Sequence, residues 1–361
     1  MGDDNNMIEE NIRFISTDTL SVDFFKGERR IAIFTDKDYS ELKLINGEFG
    51  SKVFYPDQPI TNTNASLIVG FGDEEALSRA KEIAYSEDTD LILIPTIPTI
   101  SAFLPYHVDR NLKIKHPSKL HTLLIVKEII NNQPREKLAF GLGALSCMLI
   151  NLADEATEGF LSGNEINSQK LLEKIKNTLK NIDKFAYPYP TLGFDLAEIL
   201  YELSSSIKSD CCNPLIAAYL FSLYKNNKES YNNFILAISF AIFAVYNGYQ
   251  PEKELILPPN RSEVYVRLKE LLPSIKPTPS LFSEDFLLAR FVLSDRYEEI
   301  ISALSDFPKL AQCYLRLNGN SGYYLRSLLA INELIEILPL AAEIDSHNTI
   351  LKHVYSSGYF K

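Results

Sequence analysis

A chain of 361 residues, 46% hydrophobic and 23% charged, holds enough apolar side chains for two domains with cores of their own and is too apolar to stay disordered. Its formal net charge of −11 at pH 7 offers no basic excess to displace counterions from phosphates, which argues against a nucleic-acid partner. The four cysteines, Cys147, Cys211, Cys212 and Cys313, show no CxxC spacing and read as buried thiols, not as a zinc site.

The acidic start, Met1 to Met7, reads as frayed, and the stretches at 13–15 and 20–25 supply short apolar pieces. No basic n-region followed by an apolar h-region opens the chain, and the most apolar run, Phe234 to Tyr246, is short for a bilayer. The expectation is therefore a cytoplasmic protein without a membrane partner. A strand is predicted over Arg30 to Phe34, ending in Thr35-Asp36, then one short helix, a strand over Ser51 to Tyr55, and a loop set by Pro56, Pro59 and Thr61 to Asn64.

The most informative stretch is 66–96. Leu67 to Val69 and Leu91 to Ile94 are continuous apolar runs, while Ala76, Leu77, Ala80, Ile83 and Ala84 recur between them at helical spacing. The pattern predicts strand, glycine turn at Gly70 and Gly72, helix and strand, a βαβ unit whose helix N-terminus suits anions. The turn reads Gly70-Phe71-Gly72-Asp73-Glu74-Glu75. Its acids fit a first helical turn, favoured by the helix dipole, yet they put carboxylates where a diphosphate would sit.

After Pro95-Thr96-Ile97-Pro98-Thr99-Ile100-Ser101, a polar stretch carries His107, Asp109, Arg110 and His116, and a strand is predicted over Lys119 to Val126. From Phe140-Gly141-Leu142-Gly143 onward the pattern is helical. Helices are predicted over 145–153, 168–182, 194–207, 215–224, 233–246, 261–272, 284–293, 297–304 and 321–338. The pairs Asp154-Glu155 and Glu284-Asp285 read as solvated helix faces. The expected organisation is a trimmed Rossmann-like α/β domain of nucleotide-binding type over 1–138 and an all-helical domain over 139–361.

These motifs resemble the dehydroquinate synthase-like and iron-containing alcohol dehydrogenase superfamily, nearest in pattern to its glycerol-1-phosphate and glycerol dehydrogenases. The matches are Thr35-Asp36 after the first strand, Ala80-Lys81-Glu82-Ile83-Ala84 on the helix, Ile94-Pro95-Thr96, the loop through Ser101, and Gly141-Leu142-Gly143. The resemblance implies the superfamily's α/β half plus all-α half, with Thr35, Asp36, Gly70, Gly72, Thr96 and Ser101 as vestigial cofactor-binding positions. It also implies a divalent metal held by an acidic residue and two histidines of the helical half, polarising a substrate oxygen for hydride transfer with NAD(P).

The same resemblance places Ala144 at the carboxylate position, Asp210 to Ala218 at the first histidine and Asn232 at the second. No histidine lies between His121 and His347, which leaves Cys212 or Asn213 as weak or unusual ligands. The five histidines, at 107, 116, 121, 347 and 353, read as solvated or hydrogen-bonded and not as a metal set. Phe71 is expected to fill volume where a nucleotide would lie. The sequence thus predicts a divergent, non-catalytic member without catalytic residues, metal or cofactor, working in binding or assembly as a homodimer or beside an active paralogue. The alternative is an NAD(P)-dependent glycerol-1-phosphate or glycerol dehydrogenase-like oxidoreductase with an altered or absent metal site.

Overall fold

Continuous apolar runs favour strands buried on both faces, and the runs at 31–35, 67–72, 90–95 and 121–126 form the middle of a parallel sheet. The computed structural model describes residues 12–16, 20, 30–43, 51–55, 58–60, 62–104, 106–108, 112–116, 121–208, 213–225, 231–251, 261–275, 284–318, 331–344, 347, 349–357 and 359–360. The chain forms two units, one of residues 1–141 and 188–205, the other of residues 142–187 and 206–361.

In the first unit, β1 (Ile12–Ile15), β2 (Ile31–Thr35), β3 (Lys52–Phe54), β4 (Leu67–Gly72), β5 (Asp90–Pro95) and β8 (His121–Val126) make a six-stranded sheet in the order β1-β8-β5-β4-β2-β3. Every pairing is parallel. β1, read from sequence only as a short apolar piece, is an edge strand in register with β8 from Ile12–Leu123 to Ile15–Val126. On one face Ile31, Ile33, Val69, Phe71, Ile92, Ile94, Leu124 and Val126 form a single buried cluster. Phe71 is therefore a core side chain of the sheet, fully buried by strand alternation. The expected filling of nucleotide volume by this ring is corrected on that ground.

The helix α1 (Glu74–Glu87) begins at an Asp73 N-cap and ends at Asp88, whose φ of 54° is left-handed. After β5 come α2 (Ile100–Phe103) and a small antiparallel ladder of β6 (His107–Val108) with β7 (Ile114–Lys115). Asp109 and Arg110 lie outside the described residues. α3 (Lys127–Asn131) follows β8 directly.

The unit boundary falls within α4 (Arg135–Leu161), a single helix of 27 residues where the sequence predicts a break before residue 145. Glycine disfavours helix intrinsically, but packing overrides it: a β-carbon on Gly141 would lie 3.1 Å from Pro98 and Leu196. By length and composition alone α4 suits a membrane, yet 89% of its apolar window is buried within the fold.

The second unit continues with α5 (Glu165–Lys180) and a 3-10 turn over Ile182–Ala186. α6 (Leu192–Ser204) then belongs to the first unit. The rest is α7 (Asn213–Tyr224), α8 (Asn232–Gly248), α9 (Arg261–Leu271), α10 (Glu284–Ala303), α11 (Lys309–Asn318), α12 (Ile331–Ile344) and α13 (Ile350–Ser356). The two helices predicted over 284–304 are one, and α12 runs through Pro339 where the prediction ends at residue 338. The first ten residues predicted for that last helix lie outside the described set.

Candidate functional site

β2 pairs with β3 on one side, whereas the chain returns after β3 to pair as β4 on the other side of β2. The C-terminal ends of β2 and β4 therefore flank the point where strand order reverses, the usual ligand crevice of an open α/β sheet. Asp36 follows β2 and Asp73 follows β4. The Asp36 carboxylate accepts from the Tyr39 hydroxyl at 2.9 and 3.0 Å and from the Asp73 N–H at 3.1 Å. Tyr39 Oη lies 3.3 Å from Thr96 Oγ1, and the Thr96 N–H donates to the Gly72 carbonyl at 2.8 Å. Thr35 is buried and turns its hydroxyl to the Lys37 carbonyl at 2.8 Å.

The two glycines differ in role. Gly70 is no turn residue, as the sequence predicts, but a strand position paired with Phe34 and Leu93. A β-carbon there would lie 2.8 Å from Ala80 Cβ, so its absence lets α1 close onto the sheet. Gly72 has φ +151°, and a β-carbon there would collide with Asp36 Oδ1. Asp73 caps α1 by accepting from the Glu75 N–H at 3.1 Å. Burial first, and the Asp36 charge second, raise the Asp73 carboxyl above its usual range.

Glu74 does not face solvent. It is 2% exposed, and its carboxylate accepts from the Ser101 N–H at 3.0 Å and from the Ser101 hydroxyl. Two turns along the same face, Lys81 is fully buried and donates to the carbonyls of Leu104 at 2.6 Å and Tyr106 at 3.3 Å. Burial lowers the Lys81 pKa to about 7 against an opposing pull from Glu74. Beyond it Tyr85 Oη lies 3.4 Å from His121 Nδ1. Burial, then the Lys81 charge, lower the His121 pKa to about 3. His107 and His353 are buried, so of the two readings of the histidines, solvated or hydrogen-bonded, the solvated one does not hold at these positions, while His121 is half-buried beside Tyr85. The sequence reading gave Tyr39 no role and took Glu74 as a first-turn acid and Lys81 as part of a motif, although both share helical spacing with Leu77 and Ala84 on the apolar stripe.

The sheet thus brings Asp36, Gly72 and Thr96 together through Tyr39, and α1 gathers in Ser101 through Glu74. Thr35 and Gly70 serve backbone packing nearby. Chemically this edge is acidic and engaged. The N–H groups of Asp73, Glu75 and Ser101, donors of the kind a diphosphate would use, already bind the chain's own carboxylates. These residues do not fit a dinucleotide phosphate.

In the second unit Ala144 is a buried methyl group on α4. Ten residues further along, Asp154 is fully buried, against the expectation of a solvated face. Its carboxylate accepts from the Tyr246 hydroxyl at 2.8 and 3.0 Å, from Asn213 Nδ2 at 3.2 Å and from the Ile350 N–H at 3.1 Å. Burial first and Asp154 second push the Tyr246 hydroxyl well above its usual pKa. Glu155 is likewise nearly buried, and both corrections have one cause: α4 is buried throughout residues 141–157. Asn213, weighed as an unusual ligand, directs its amide to Asp154. Cys212 lies outside the described residues. Among the described residues no group of three or more His, Cys, Asp or Glu side chains could hold a metal. A carboxylate saturated by donors and a methyl at the acidic position do not fit a divalent cation.

No protein-family description matches the chain by sequence, and no curated protein does. Its fold has clear counterparts among solved structures. Maleylacetate reductase from a Rhizobium strain matches with a TM-score of 0.55 at 12% identity, over 96% of this chain and 94% of that one. Iron-containing alcohol dehydrogenase from Thermotoga maritima gives 0.52 at 12% identity, covering 96% of each chain. An archaeal halo-thermophilic alcohol dehydrogenase from a Red Sea brine pool gives 0.52 at 14% identity, over 97% and 91%. The chain has the fold of the iron-containing alcohol dehydrogenase and dehydroquinate synthase-like superfamily, as its motifs led one to expect.

Proposed function

We propose that this chain is a divergent, non-catalytic protein on the iron-containing alcohol dehydrogenase fold, working in binding or assembly as a homodimer or as the partner of an active paralogue. The observation that supports this reading is the replacement of ligand-binding groups by internal contacts. Carboxylates of the chain itself hold the Asp73 and Ser101 N–H groups, and Asp154 is saturated by Tyr246, Asn213 and Ile350. Metal-assisted hydride transfer needs a Lewis acid, and among the described residues no group of three or more His, Cys, Asp or Glu side chains could hold one.

The test is direct. The purified full chain, incubated with iron or zinc, is mixed with NADH or NADPH and a panel of small aldehydes, ketones and ketose phosphates, and the nicotinamide absorbance is followed. The reading predicts no oxidation above the rate without protein. Turnover with any member of the panel would replace it with the oxidoreductase alternative.

A further inference from the structure

Three carboxylates at the reversal point of the sheet do the work that an anionic ligand does in other open α/β sheets. Asp36 takes the Asp73 N–H at 3.1 Å, Asp73 takes the Glu75 N–H at 3.1 Å, and Glu74 takes the Ser101 N–H at 3.0 Å together with the Ser101 hydroxyl. Gly72, at φ +151°, has no side chain to keep the Asp36 carboxylate out, and a β-carbon would stand where its Oδ1 now lies. From the same helix Lys81 reaches the carbonyls of Leu104 and Tyr106, so one buried acid holds Ser101 and one buried base holds Leu104 and Tyr106 against α1. Buried polar groups are costly unless hydrogen-bonded, and Glu74 and Lys81, both buried, each have hydrogen-bond partners.

We infer that this edge of the first unit is self-liganded: the carboxylates of Asp36 and Glu74 stand in for the oxygens of a bound phosphate, while Glu74 and Lys81 hold Ser101, Leu104 and Tyr106 against α1. The inference rests on the non-catalytic reading and deepens it by assigning these side chains the part of an internal ligand. An internal carboxylate needs no association entropy to reach its donors, so an external anion competes against a partner of very high effective concentration.

The experiment uses the isotope-labelled full chain, with the amide resonances of Asp73 and Ser101 as readout and inorganic diphosphate as probe. In the wild type these resonances stay unmoved by millimolar diphosphate, relative to potassium chloride of equal ionic strength. In Asp36→Asn, which keeps shape and removes the charge, the Asp73 resonance moves upfield and then responds saturably to diphosphate. Glu74→Gln does the same at Ser101. A saturable shift in the wild type overturns the inference, since the edge would then be open. Folded variants whose amides ignore diphosphate overturn it as well, because the carboxylate charge would not be what keeps the anion out. Should one variant fail to fold, the other decides at its own amide. An open edge without hydride transfer sinks this inference alone, whereas turnover sinks the proposed function.

Discussion

Tyr246, Asn213 and the Ile350 amide all donate to Asp154, so one substitution strands donors from three helices. Leaving a buried donor unsatisfied costs about 1–3 kcal/mol, and Asp154→Ala is expected to lose about 3–5 kcal/mol in urea unfolding. Asp154→Asn retains an acceptor and should lose less. Gly72→Ala meets both a disfavoured φ and the Asp36 carboxylate, and a loss of about 2–3 kcal/mol is expected by the same measurement. His353, which is buried, and His121, which is half-buried, set an acid limit. Burial lowers the pKa of His353 to about 4, and His121 lies at about 3, against an ordinary value of about 6.5. A base with a depressed folded pKa contributes stability that is complete above its unfolded pKa and is lost as pH falls through the folded one. The melting temperature should therefore fall from about pH 6.5 down through pH 4 and 3. His353→Leu should flatten part of that slope; an unchanged profile would mean that His353 is not buried neutral.

At the level of elements, α1 is where cap and site coincide. Asp73→Ala removes the side chain that accepts the Glu75 N–H and should cost about 1 kcal/mol. Asp73→Ser keeps a capping oxygen and removes a charge set against Asp36, so it should be neutral or mildly stabilising by thermal denaturation. The βαβ unit from β4 to β5 was legible because its apolar runs and helical spacing follow directly from being buried. The bounds of α4 were not, since Gly141 and Gly143 read as a break until their close neighbours are known. α11 was legible and overlooked: Leu310, Cys313, Tyr314 and Leu317 keep helical spacing and are all buried. The inward turn of Glu74 and of Asp154 was hidden, because an acid in a first turn or at a helix surface looks the same in sequence whether or not a partner waits inside. Ser101 supplies the partner of Glu74 from 27 residues away and Tyr246 that of Asp154 from 92, a relation no local pattern carries.

For the molecule as a whole, the superfamily fold persists over nearly the full chain at 12–14% identity, while the Asp73 and Ser101 N–H groups and the Asp154 carboxylate are taken up by contacts within the chain. Strand order, glycine positions and the long apolar helix depend on packing, which tolerates substitution at constant shape, whereas a metal or phosphate site depends on a few side chains that substitution erases. If assembly is the retained role, light scattering should report a stable dimer or larger species, and a strict monomer at all concentrations would shift the proposal toward a heteromeric partner. The most direct test of the central claim is elemental analysis for zinc, iron, nickel and manganese on the full chain purified without chelator or affinity-column metal, before and after incubation with zinc. The account predicts less than about a tenth of an equivalent in both samples. A metal bound at one equivalent would contradict it and return the chain to the working dehydrogenases.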